Sequence, residues 1–195
     1  LLDHIRERCL HLWNPGEKVS VDEAMIAFRG RLGWRQYVPS KPTKYGIKVW
    51  MRSDPANGFC SDFQVYTGKA AKQPEIGLGG RVVSDLTKGL ENNNLVVNCD
   101  NFFSSPALFD SLLDRGIYAR GTVKENRKGM PPKNTFGQNS IVCQRGELSA
   151  VKWQDKRTVN FLSTADSPVA STQVKRKKAD GTSTEVPCPL VVQNY

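Results

Sequence analysis

The chain has 195 residues, and its 28 lysines and arginines outnumber its 19 aspartates and glutamates, for a formal net charge of +9. The length allows one sizeable domain. The charge favours an anionic partner, with nucleic acid ahead of a membrane surface. No apolar run reaches the roughly 18 residues of a membrane span, and no signal peptide is visible. The five cysteines are scattered singly, which is typical of reduced intracellular thiols and disfavours a zinc site.

The first third of the chain predicts one helix followed by three strands. Residues 1–13 form an amphipathic pattern at helical spacing. Its apolar stripe comprises Leu2, Ile5, Cys9 and Leu12. Because residue 1 is a leucine inside this predicted helix, we expect the chain to be part of a longer protein. Strands are predicted at 19–28, 46–52 and 59–66, with a hairpin turn at 54–58 between the last two.

The middle of the chain alternates helices and strands. A helix is predicted at about 80–90, a strand at 94–100, a helix that ends near 114, and a strand at 117–123. Ser104 or Ser105 is expected to cap the second of these helices, with Pro106 in its first turn. The order β-β-β-α-β-α-β predicts an α/β fold with a mixed sheet, in which the first strand is central and the fourth lies parallel beside it.

The remainder of the chain is richer in short strands. Residues 124–139 predict a basic loop, and strands are predicted at 140–143, 148–154 and 158–164, which could form a small β insertion. Residues 175–178 predict the tip of a basic hairpin, where a solvated charge run is favoured over a specific phosphate site. The predicted organisation is a lead-in at 1–18, a core at 19–139 and a β-rich insertion at 140–195.

Two aspartates are the candidate metal ligands. Asp22 lies in a predicted strand whose two faces are largely apolar, where a charge is costly unless it is paired or holds a metal ion. Asp100 ends the predicted fourth strand. If the two strands are parallel neighbours, both acids meet at the edge where open α/β sheets bind ligands. Such a pair is either a set of ion-paired acids or a site for divalent cations such as Mg²⁺.

The stretch 20–48 combines acids with a long basic and aromatic run. Asp22 and Glu23 are followed by seven cations without an intervening acid: Arg29, Arg31, Arg35, Lys41, Lys44, Lys48 and Arg52. Phosphate neutralisation and base stacking are sequence-tolerant ways to hold nucleic acid. The alternative is a solvated basic hairpin. Trp34 and Tyr37 could stack on an unpaired base, although core packing is slightly favoured for both. Further possible DNA contacts are Arg127, Lys128 and Lys133.

Four segments in this order resemble the piggyBac-type transposases and the host genes derived from them. The segments are VDEAMIAFRGR, YVPSKPTKYGIKVW, NCDNFFSSPAL and IYARGTVKENRKGMP. The resemblance implies an RNase H-like catalytic domain that cuts double-stranded DNA at transposon ends and joins it to TTAA targets. It also implies three aspartates that bind two Mg²⁺ ions. It identifies Asp22 and Asp100 as the first two catalytic, metal-binding aspartates. The residues expected to position DNA phosphates are Arg29, Arg31, Arg35, Lys41, Lys44 and Lys48.

The resemblance places the third aspartate just beyond Tyr195. We therefore expect that these 195 residues alone do not cleave DNA. The family also implies a homodimeric full-length protein, a nuclear location and no membrane association. Two functions remain open from the sequence: the catalytic core of a DNA transposase, and a host-adopted, transposase-derived DNA-binding protein without catalysis.

Overall fold

The chain divides into two compact units, Leu1–Val97 and Asn98–Tyr195. The structure is a computed structural model that describes all but a few short segments of the chain. The described residues are 1–14, 16–68, 75–132, 142–154, 157–177 and 181–195. Within these ranges, no helix combines the length and the apolar character needed to cross a membrane.

The first unit is built on an antiparallel meander. Its elements are α1 (Leu2–Leu12), β1 (Lys18–Ala27), β2 (Gln36–Tyr37), β3 (Tyr45–Ser53), β4 (Cys60–Val65) and α2 (Leu78–Leu86). The strands β1, β2 and β4 all pair antiparallel with β3. The three predicted strands are thus confirmed, and the two-residue β2 is an addition. A fifth strand, β5 (Val96–Cys99), spans the boundary of the units, and the N–H of Val96 donates to the carbonyl of Glu17 just before β1.

The core of the first unit lies between the meander and α2. Val19 and Val21 of β1 are buried, as are Val82, Val83 and Leu86 of α2. Since α2 contacts both β3 and β4, its apolar stripe closes one face of the meander. This burial of periodic apolar side chains is what stabilises so short a helix.

The helix α1 was predicted correctly, and its apolar stripe is largely exposed. None of its residues is buried, and Leu2, Ile5 and Leu12 are all more than 40% exposed. The helix contacts β4, and Arg6 forms an ion pair with Asp62 of that strand.

The second unit contains an antiparallel sheet and a separate hairpin. Its elements are α3 (Pro106–Asp114), β6 (Tyr118–Val123), β7 (Val142–Arg145), β8 (Leu148–Gln154), β9 (Thr158–Ser163), β10 (Ser171–Lys177), β11 (Ser183–Pro189) and α4 (Leu190–Asn194). The order in the sheet is β6-β9-β8-β7, while β10 and β11 pair only with each other in the described residues. The division between residues 139 and 140 stays a prediction. Of the predicted hairpin tip at 175–178, residues 175–177 form the end of β10, and residue 178 lies outside the described residues.

Both ends of α3 follow the predicted signals. Ser105 is the N-cap, and its hydroxyl oxygen accepts a hydrogen bond of 3.2 Å from the N–H of Leu108. Pro106 occupies the first turn, where its missing N–H costs nothing. Gly116 follows the helix with a φ of 67°, a left-handed conformation that glycine adopts without strain.

Candidate metal and nucleic-acid site

Asp22 lies in the middle of β1 and is exposed to solvent. It pairs with Met51 across the β1–β3 ladder, and its Oδ1 accepts a hydrogen bond of 2.6 Å from the N–H of Glu23. The expectation that this strand is covered on both faces was wrong at this point, since Ile26 on the same face is 54% exposed. The carboxylate therefore carries little of the desolvation cost that a buried acid would have.

Glu23 points to the opposite face of the sheet because side chains alternate along a strand. Its half-buried carboxylate forms an ion pair with Lys48 and lies 4.0 Å from the Nζ of Lys41. Lys41 also donates a hydrogen bond of 3.1 Å to the backbone carbonyl of Glu23. The two neighbouring acids thus have different roles: lysines neutralise Glu23, whereas Asp22 remains accessible.

Asp100 follows β5 and begins a tight turn whose hydrogen bonds fix its backbone. Its carbonyl oxygen accepts from the N–H of Ser104 at 3.0 Å and from the Ser104 hydroxyl at 2.9 Å. Its Oδ1 accepts from the N–H of Phe102 at 2.9 Å, which is the hydrogen bond of an Asx turn. The orientation of this half-buried carboxylate is therefore set by the backbone of its own turn.

Arg127 contacts the same turn. Its Nη2 donates to the carbonyls of Asn101 and Phe102, the second at 3.1 Å. This guanidinium therefore helps to hold the segment that follows Asp100. DNA contacts by Arg127 and the exposed Lys128 stay predictions, and Lys133 lies outside the described residues.

Most of the cations predicted to position phosphates are exposed, namely Arg29, Arg31, Arg35 and Lys44. Three of them line a cavity of about 560 Å³ in the first unit, here called the basic cavity. Its walls are formed by Ala27, Phe28, Arg29, Arg35, Pro42, Thr43, Lys44 and Tyr45. No acid is among these residues, so the cavity concentrates positive charge and attracts anions.

Arg35 is fixed in place at this cavity. Its Nη1 donates to the carbonyls of Arg29 and Gly30 at 3.3 and 3.2 Å, and its guanidinium carbon lies 5.5 Å from the ring centroid of Tyr45. The ring of Tyr45 in turn lies 4.6 Å from that of Tyr37. Both tyrosines are more than half exposed, so the expectation of core packing was wrong for Tyr37. Trp34 is half-buried.

Arg52, the last cation of the basic run, belongs to the interior of the first unit. It is 1% exposed, and it donates to the Ser61 hydroxyl at 2.8 Å and to the carbonyl of Leu86 at 2.6 Å. Its guanidinium also lies 4.7 Å from the ring of Trp13. Burial lowers the pKa of this arginine. Arg52 therefore supports packing and is not available to DNA.

The second unit contains a buried ion pair that sequence analysis missed. Arg120, 4% exposed, lies with its Nε 3.0 Å from the Oδ2 of Asp166, and its Nη1 donates to the carbonyl of Asn194 at 2.7 Å. The Asn194 amide donates to the other oxygen of Asp166. Burial lowers the pKa of Arg120. The available signal was that Arg120 is the one charged residue of the predicted strand 117–123. Because Asp166 is fully engaged, it is no candidate for a third metal ligand.

The chemistry of Asp22 and Asp100 suits Mg²⁺, but the two residues are not a complete ligand set. In the part of the chain that the structure describes, no group of three His, Cys, Asp or Glu side chains could hold a metal ion. Each of the two aspartates accepts a backbone hydrogen bond at one carboxylate oxygen, and hard carboxylate oxygens are the ligands that Mg²⁺ prefers. Asp22 and Asp100 belong to different units, and their convergence on one cation stays a prediction.

The whole chain, residues 1–195, matches the family described as transposase IS4, and the chain therefore belongs to this family. Its human relatives include piggyBac transposable element-derived protein 3, which is 30% identical over 174 residues. That alignment covers 77% of this chain and 29% of the relative. PiggyBac transposable element-derived protein 2 is 27% identical over 197 residues, with 92% of this chain and 33% of the relative covered. The chain thus spans about a third or less of the length of these relatives.

A solved structure supports the same assignment. The cryo-EM structure of a piggyBac transposase synaptic complex with hairpin DNA matches this chain with a TM-score of 0.81 and 27% identity. The match covers 100% of this chain and 40% of the other. The predicted resemblance to piggyBac-type transposases and the predicted α/β, RNase H-like fold class are therefore confirmed.

Proposed function

We propose that this chain is part of the catalytic core of a piggyBac-like DNA transposase and that it binds double-stranded DNA through the basic cavity and Arg31. The observation that carries the proposal is the group of exposed cations in the first unit, which lines a cavity without an acid. Contacts of this kind neutralise phosphates and are independent of DNA sequence. The similarity to a transposase whose structure contains hairpin DNA supports nucleic acid as the anion.

The proposed reaction is metal-dependent phosphoryl transfer at transposon ends. Asp22 and Asp100 would hold Mg²⁺, which when bound supplies Lewis-acid stabilisation of the attacking and leaving oxygens. The chain's own cations would hold the phosphates in register, while Lys48 and Lys41 neutralise Glu23 and so keep a second charge away from Asp22. A two-metal site normally needs a third carboxylate, so we expect no cleavage by these 195 residues alone.

The test of DNA binding is the salt dependence of affinity for a short duplex, measured by fluorescence anisotropy. Affinity should fall steeply as salt rises, because each neutralised phosphate releases counterions. The double variant Arg29→Ala/Arg31→Ala should reduce the slope of log K against log salt by about 2. Arg81→Ala is the matched control, since Arg81 is exposed but paired with Glu75 and Asp85. Binding that is independent of salt, or equal loss in the control, would contradict the assignment.

The test of catalysis is nicking of transposon-end DNA with Mg²⁺ or Mn²⁺. We expect no cutting by these 195 residues. Robust cutting that Asp22→Ala abolishes would show that the first two aspartates suffice and that the expected need for a third is wrong.

A second candidate function is DNA binding without catalysis, in a transposase-derived protein adopted by its host. The human relatives, which are transposable element-derived proteins, favour this candidate. The two functions differ in whether the sequence after residue 195 supplies a third aspartate, and in whether the longer protein cuts DNA. In either case we propose a nuclear, homodimeric full-length protein; TTAA targeting belongs to the first function alone.

A further inference from the structure

The helix α1 lies along β4 and runs in the opposite direction to the strand. Near the middle of the helix, Arg6 forms two hydrogen bonds with the carboxylate of Asp62, at 2.5 and 3.1 Å. At its end, Leu12 and Trp13 line a cavity with Asp54 and Phe59, in the connection before β4. Between these two anchored points lie Cys9 on the helix and, on the strand side, Cys60.

The contact of α1 with β4 places both thiols in the same part of the first unit. Both cysteines are free and half-buried, and the Sγ of Cys60 lies 3.6 Å from the carbonyl oxygen of Asp62. The pKa of the Cys60 thiol is raised, mainly by burial. The second cause is the charge of Cys9, and the third is the charge of Asp62. The anchoring contacts and this electrostatic coupling thus agree on where the two thiols lie.

We propose that Cys9 and Cys60 are a redox-sensitive thiol pair that forms a reversible disulfide with a small-molecule disulfide, such as oxidised glutathione, as the oxidant. The other thiols are poor partners. Cys99 and Cys188 are buried, and Cys143, which is half-buried, belongs to the second unit. The proposal is independent of DNA binding and of metal binding.

The reaction consists of two thiol–disulfide exchanges. The Cys9 thiolate attacks one sulfur of oxidised glutathione, which forms a mixed disulfide and releases one glutathione thiolate. The Cys60 thiolate then attacks the Cys9 sulfur, which closes the protein disulfide and releases the second glutathione. The two protons lost by the protein pass to the two released thiolates. Because its raised pKa makes Cys60 a poor first nucleophile, the first attack falls to Cys9.

The disulfide would fasten α1 to β4. None of the residues of α1 is buried. The helix is therefore held against the strands by the Arg6–Asp62 ion pair and by half-buried residues. A covalent link between Cys9 and Cys60 closes a ring of roughly 50 residues and restricts the separation of helix and strand. Oxidation should therefore slow amide hydrogen exchange in α1.

The experiment incubates the folded chain with a glutathione redox buffer, blocks free thiols with an alkylating reagent, and maps tryptic peptides without reduction. Peptides 9–18 and 53–69 should be joined, and the intact mass should fall by two hydrogen atoms. The effective concentration of one thiol at the other equals the squared concentration of reduced glutathione divided by the concentration of oxidised glutathione at half oxidation, and it should be at least about tenfold higher in the folded chain than in urea. Equal values in the two states, or glutathione adducts on both cysteines without a joined peptide, would overturn the proposal.

Two variants identify the thiols. Cys60→Ser should lose the joined peptides and retain a glutathione adduct on Cys9. Cys143→Ser, the control for another half-buried thiol, should behave like wild type. If a joined product that contains Cys9 persisted in Cys60→Ser, Cys60 would not be the partner of Cys9 and the proposal would be wrong. Circular dichroism shows whether each variant folds, and the wild-type comparison with urea does not depend on any variant.

Discussion

The surroundings of Asp22 and Asp100 differ, although sequence analysis assigns both aspartates the same role. Asp22 is exposed in the middle of a strand, and its backbone is held by the β1–β3 ladder. Asp100 stands at the end of a strand, where its own carbonyl and carboxylate accept hydrogen bonds from the turn that follows. The first acid is thus positioned by strand register and the second by a closed turn.

This difference indicates which changes should disturb each residue. The Asp100 turn depends on buried groups, including Ser104, which is 0% exposed, so small changes there should affect stability strongly. The Asp22 segment depends on the ladder and on partly exposed ion pairs at Glu23, which contribute less. Substitutions around the two aspartates should therefore differ in their effect on stability.

Gly121→Ala should be the most damaging single change near either aspartate. A Cβ at this position would lie 2.1 Å from the carbonyl oxygen of Cys99 and 2.5 Å from the Oγ of Ser104. The backbone of β5 would have to move, at a cost of about 3 kcal/mol in the free energy of unfolding. Urea denaturation measures this cost. Gly33→Ala is the control, since nothing lies within 4 Å of its added Cβ; a similar loss in both variants would contradict the account.

Ser104→Ala should destabilise the protein by about 1.5 kcal/mol. The hydroxyl donates to the carbonyl of Asp100, and its removal leaves that buried turn with one hydrogen bond fewer. Equilibrium unfolding provides the measurement, with the exposed Ser171→Ala as the control that should change little. If Ser104→Ala were neutral, the turn would not depend on this hydroxyl.

Glu23→Gln should cost about 1 kcal/mol. The change removes the negative charge that pairs with Lys48, whose side chain is 15% exposed. Glu75→Gln is the matched control, because the Glu75–Arg81 pair is about 45% exposed on both sides and should contribute less than about 0.5 kcal/mol. Equal losses in the two variants would show that burial does not separate these ion pairs.

The pH dependence of stability should reveal Cys99. Burial raises the pKa of its thiol to about 12 in the folded protein, above the value of the unfolded chain, so the unfolded chain loses its proton first as pH rises. The contribution of the neutral thiol is therefore nearly complete below about pH 8 and declines above it, by about 0.8 kcal/mol at about pH 9.5. Denaturation series at several pH values should show this decline in wild type and not in Cys99→Ala; parallel curves would contradict it.

Most of the fold could be predicted because periodicity and capping carry local information. Alternation and turn residues predict the strands of the meander and the order of the elements. The serine followed by proline predicts the N-cap of α3 at Ser105. The exposed side of α1 could not be predicted, since a stripe of apolar residues does not say whether a neighbour covers it.

The site was predicted less completely. Arg52 has the charge of a DNA contact, and only its buried position in β3 shows that its role is packing.

Titration with Mn²⁺ is the most direct test of the proposal that Asp22 and Asp100 share a cation. Paramagnetic broadening of backbone amide signals can be followed by nuclear magnetic resonance even when binding is weak. The account predicts that amides flanking both aspartates broaden with a single midpoint, and that Asp22→Asn removes the broadening at both positions. Broadening near only one aspartate, or broadening around Asp100 that persists in Asp22→Asn, would contradict it.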